Sequence, residues 1–170
     1  MTFEESARLA GFVLAHAAWS MSDLAAGELL TPMAITELEG ARELIRFEAA
    51  TQDEAVAEGK RAVHAFAERV DGWAFARDGL LKMRGSESSQ HVLAVEFGRR
   101  GEPGAHTVIQ PYAPAASPRG FRILGDPMVM HGADLLDPAA VPALLRLLHA
   151  GIHEHPAVAP LWDDWAAGAG

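Results

Sequence analysis

Along the first twenty-one positions apolar residues return at alternating steps of four and three, at Phe3, Ala7, Ala10, Leu14, Ala17 and Met21. That is the spacing of one helical face, and it predicts a helix over residues 3 to 20. Leu9, Phe12, Val13 and Trp19 widen the stripe until almost everything after Arg8 is apolar except His16 and Ser20. A helix apolar on so much of its girth needs cover on more than one side. Two arrangements supply it: a position between the rest of the fold and another layer, or contact with its own copy in a homodimer built on Phe12 and Trp19.

From Leu29 to Ala49 the period changes to two. Leu29, Met33 and Ile35 share one strand face, Ile45, Phe47 and Ala49 lie opposite Arg42, Arg46 and Glu48, and Glu39-Gly40 stands between the two runs. An antiparallel hairpin follows. Thr51-Gln52-Asp53-Glu54 has the form of a capping box, in which hydroxyl and carboxylate each accept from an orphan backbone N–H. It opens a helix over residues 52 to 69 with Val56, Gly59, Val63, Phe66 and Val70 inward.

Four extended runs come next, near residues 73 to 77, 91 to 98, 106 to 112 and 121 to 124, separated by turn clusters at 85 to 89, 101 to 104 and 114 to 120. Leu80 to Met83 extend the first run, and Met128 to Met130 add a last short strand. Asp137-Pro138 then offers a cap acceptor and a first-turn proline for a helix over residues 138 to 153, with Val141, Leu144, Leu145, Leu148 and Ile152 inward. The order α-β-β-α-β-β-β-β-α alternates too little for a doubly wound parallel sheet. It predicts one α+β domain over residues 1 to 170, with a largely antiparallel sheet of about five to six strands, helices mainly on one face, and a docking tail at residues 156 to 170.

Composition narrows the function classes. With 49% hydrophobic residues the chain has material for a core, yet no apolar run reaches the roughly 18 residues of a membrane span. The absence of cysteine removes disulfides, thiolate metal sites and Cys nucleophiles. Leu9 to Trp19, with Ala15-His16-Ala17, mimics a secretory signal, but Glu4 and Glu5 stand where positive charge belongs, so a cytoplasmic protein is expected. The net charge of −9 opposes generic binding to nucleic acid or an anionic membrane. Only the stretch from 83 to 125 is net positive, through Arg84, Arg99, Arg100, Arg119 and Arg122.

The densest group of potential ligands is His149, His153 and His155 with Glu154. His149 and His153 are four apart, so both imidazoles leave one helical face and can hold a transition metal, with His131 as a spare ligand. Arg146, three residues before His149, argues the other way, because a guanidinium beside a dication is unfavourable unless something intervenes. On that reading the two histidines are the solvent face of an amphipathic helix, and no cofactor is needed. His16 reads as a hydrogen-bonded core histidine, His64 and Glu68 as a surface pair, and Ser86, Ser88 and Ser89 as loop serines. Glu37 and Glu39 have no partner that would separate their pKa values. Arg99 and Arg100 form a hairpin tip able to attract an anion. Trp162 and Trp165 flank Asp163 and Asp164, so the tail docks by its indoles, either on its own domain or on a partner protein. No Walker loop, G-x-G-x-x-G, G-x-S-x-G or H-E-x-x-H occurs. The sequence therefore leads first to a non-catalytic protein-binding adaptor, homodimeric through Phe12 and Trp19. A small His/Asp-dependent, metal-assisted enzyme comes second, and a carrier or sensor of a small ligand third.

Overall fold

A computed structural model describes residues 1 to 82 and 88 to 167. The first helix, α1 (Phe3–Met21), opens with a capping box of its own, Thr2 with Glu5, and is followed by the hairpin β1 (Met33–Leu38) and β2 (Ala41–Arg46). The hairpin turns through Glu39 at φ 52° and Gly40 at φ 78°, the paired positive φ of a tight two-residue loop whose twist matches the strands. The helix α2 (Gln52–Phe66) starts at the expected box, with Thr51 accepting from the Glu54 N–H and Glu54 accepting from the Thr51 N–H. Then come β3 (Gly72–Lys82), β4 (Ser89–Arg99), β5 (His106–Ala113), β6 (Arg122–Ile123), β7 (Met128–His131) and β8 (Asp134–Leu135), and finally α3 (Val141–His153) and α4 (Trp162–Ala167). The turn expected from Gly85 to Ser89 falls mostly outside the described residues, as do Met83, Arg84, Ser86 and the last three residues.

All strand pairs are antiparallel, in the order β2-β1-β3-β4-β5-β7-β8, with β6 paired to β5. The fold is the α+β domain that the periodicity predicts: β6 falls on the run expected at 121 to 124 and β7 on the one at 128 to 130, and β8, a two-residue bridge, is the strand added to them. Strand alternation divides the interior. Met33, Ile35, Ala74, Ala76, Leu93, Val95, Phe97 and Val108 face α1, whereas Ala34, Phe47, Trp73 and Phe75 face α2 on the other side. So α1, α3 and α4 share one face of the sheet, and α2 covers part of the second.

The girth of α1 is accounted for by α3, which lies across its back. Gly11 and Gly151 mark the crossing: a Cβ on Gly11 would collide with the Leu148 carbonyl, and one on Gly151 with the Arg8 carbonyl. Leu144, Leu148 and Ile152 complete this layer. Phe12 is half-buried beside it, and Trp19 keeps 45% exposure.

Residues 138 to 140 are not helical. Asp137 instead accepts from the Ala139 N–H through its side chain and from the Ala140 N–H through its carbonyl, so Pro138 lies in a turn and Pro142 supplies the first-turn proline. After α3 a compact turn, with the His155 carbonyl accepting from Val158 and Ala159, buries Val158 and returns the chain to α4. Among the described residues no helix is long and apolar enough to cross a membrane.

Candidate metal centre and its cavity

The four-residue spacing in α3 brings His149 Nε2 to 3.2 Å from His153 Nε2, with the rings edge to face. Asp163, the second residue of α4, closes the group: its Oδ1 is 3.8 Å from His149 Nε2 and 4.0 Å from His153 Nε2. Ligands bound at about 2.0–2.1 Å to one ion stand about 3 Å apart at a right angle and about 3.4 Å apart at a tetrahedral one. The imidazole pair already has that separation. The carboxylate needs to close by about half an ångström or more to reach the same spacing, and its side chain, 76% exposed, is free to rotate. Two imidazoles and one carboxylate suit a borderline divalent ion and leave its other positions open.

Those positions adjoin a solvent-open cavity of about 430 Å³. Its wall is apolar, from Leu14, Ile123, Leu148, Ile152 and Trp162, and its polar lining includes Arg146, His149, Asp163 and Asp126. Two local devices hold this shape. Gln110, almost fully buried, donates through Nε2 to the carbonyls of Pro111 and Gly125, which fixes the segment carrying Asp126. Trp162, 5% exposed, belongs to the main core, and Trp165 meets the Phe121 ring edge-on at 5.0 Å. Both indoles thus dock on their own domain, and Trp162 anchors the backbone next to the candidate ligand Asp163.

No protein-family model, curated protein or solved structure matches this chain.

The other candidate residues lie elsewhere. His131, expected as the spare ligand, stacks on His106 with ring centroids 4.5 Å apart, because β7 pairs with β5 and sets the two residues opposite each other. Asp163, rather than His131, stands beside the two imidazoles. Arg99 pairs with Glu102, and Arg100 with Asp71 and the carbonyls of Arg69 and Val70, so this tip is an internally paired turn that ties β4 to the end of α2. Phe12 carries the Arg42 guanidinium over its ring at 5.0 Å. Glu37 also pairs with Arg42, and Arg8 with Glu154.

One arrangement has no signal in the sequence. His16 Nδ1 lies 3.0 Å from His155 Nε2, the two rings packed among Phe12 and Trp19. One ring must donate and the other accept, as two neutral imidazoles do. Burial lowers the pKa of both, and for His16 the facing His155 and the Arg46 charge add to it.

Proposed function

We propose that this protein is a small metal-assisted enzyme, in which His149, His153 and Asp163 hold a divalent transition-metal ion and the adjoining cavity holds the substrate. The carrying observation is the 3.2 Å separation of the two imidazole nitrogens, with the Asp163 carboxylate within 4.0 Å of both, at the mouth of a cavity. Three protein ligands leave room for water and a substrate oxygen. An ion so placed polarises that oxygen and acidifies the bound water, which is the equipment of hydrolysis. Asp163 also answers the objection from Arg146, since its negative charge lies within the group.

Titration calorimetry of the full chain with zinc and with nickel tests this. Near-stoichiometric binding is expected in the wild type and its loss in the His149→Ala, His153→Ala double variant, with Asp163→Asn intermediate. Equal weak heats in all three proteins would overturn the reading. These side chains are exposed, so the variants keep the fold.

A second reading, a protein-binding adaptor, rests on another surface. Trp19 is 45% exposed and Leu44 36%, and Leu44 shares its strand face with Arg42 and Arg46 on the edge strand β2. If a second copy covers this flank, light scattering gives a dimer that Trp19→Ser dissociates; a wild-type monomer at micromolar concentration rejects self-association.

A further inference from the structure

The cavity beside the three ligands has a rim whose charges can be counted. Arg146 is the only lysine or arginine from residue 126 to the end of the chain. It lines the cavity on the same helix as His149, three residues earlier, and among the described residues no hydrogen bond or ion pair occupies it. Asp126 lines the same rim and is likewise without a partner there. With a dipositive ion in place, that ion and Arg146 stand against Asp126 and Asp163, which leaves one positive charge uncompensated. Behind the rim the wall is formed by Leu14, Ile123, Leu148, Ile152 and Trp162.

We propose that the cavity takes a monoanionic carboxylate with an apolar body, its carboxylate bridging the metal ion and Arg146 and its hydrocarbon part lying against Trp162 and Ile123. This rests on the metal centre proposed above. One carboxylate neutralises the rim, whereas a phosphate monoester brings a second negative charge toward Asp126 and Asp163. A planar guanidinium is suited to a carboxylate because it offers two parallel N–H donors. A volume of about 430 Å³ is within the range of small-molecule sites. An amphiphile of this kind also removes the conflict between Arg146 and a nearby dication, since its charge lies between them.

The test is calorimetry of 4-phenylbutanoate, its neutral amide 4-phenylbutanamide, and 3-phenylpropyl phosphate, on zinc-loaded and metal-free protein and on Arg146→Met. The acid is expected to bind the zinc-loaded wild type at least about tenfold more tightly than the amide, because a charge-assisted hydrogen bond is stronger than a neutral one. Removal of zinc and Arg146→Met should each reduce that preference. If zinc binds through its three ligands but acid and amide bind alike, the carboxylate assignment is overturned and the metal centre stands. If the phosphate binds more tightly than the acid, the monoanion assignment is overturned. If zinc does not bind, the metal centre fails; a preference for the acid that vanishes in Arg146→Met still supports the anion site, and its absence removes that as well.

Discussion

Replacing Gly11 or Gly151 with alanine tests the layer on which the candidate site is built. In an exposed helix this change stabilises by about 1 kcal/mol through backbone entropy. Here each new methyl group meets a backbone carbonyl of the crossing helix, Leu148 in one case and Arg8 in the other, and no rotamer change relieves it. Overpacking costs about 1–3 kcal/mol, and contact with main chain belongs at the upper end. The net expectation is a loss of about 2 kcal/mol for either variant, about 4–8 °C in Tm for a chain of this length. One outward shift of α3 relieves both collisions, so the double variant should lose less than the sum of the two, by at least about 0.5 kcal/mol. Urea unfolding followed by circular dichroism measures this, with an unchanged slope as the check that the unfolded state is the same. Gly79→Ala is the control, since its new methyl group would find only ordinary contacts at 3.6 Å and beyond. Wild-type stability in Gly11→Ala or Gly151→Ala would refute the close crossing.

Two further outcomes follow from local chemistry. His16, His106 and His155 are held below the ordinary value of 6.5, chiefly by burial. The unfolded chain therefore binds protons first as pH falls, so stability is complete above about pH 6.5 and declines as pH drops through the lowered values. Urea midpoints at pH 7.5 and 5.5 should differ in that sense, and equal midpoints would contradict the burial of these rings. Thr51→Ala removes the acceptor for the Glu54 N–H and should cost about 1 kcal/mol, read as a lower urea midpoint.

Most of the fold was legible because its long elements carry long patterns. The four-three spacing of α1, the alternation of β1 and β4, and the Thr51 box are each visible over six residues or more or in a specific motif. What escaped detection was short or set by one side chain. β8 is a two-residue bridge, α4 is a single turn and a half, and Asp137 delays α3 by holding Pro138 to Ala140 in a turn. The candidate site divides in the same way. His149 and His153 were found together because both obey one helical period. Asp163 joins them only because the turn after α3 brings the chain back, and no periodicity records where a loop returns. His131 was drawn elsewhere by strand register, and the His16–His155 contact joins opposite ends of the chain, which nothing local foretells.

The seam between α1 and α3 also has a bearing on synthesis. α1 is made first, yet the helix that closes its outer side is made only after every strand of the sheet. Until then Gly11, Leu14 and Ala15 have no cover on that side, and a chain stopped before Val141 offers that stripe to whatever is near. Exposed apolar surface of this kind is where incomplete chains aggregate or engage chaperones. The three proposed ligands and the cavity wall at Trp162 lie on that same last portion, so the centre cannot assemble before the stripe is covered.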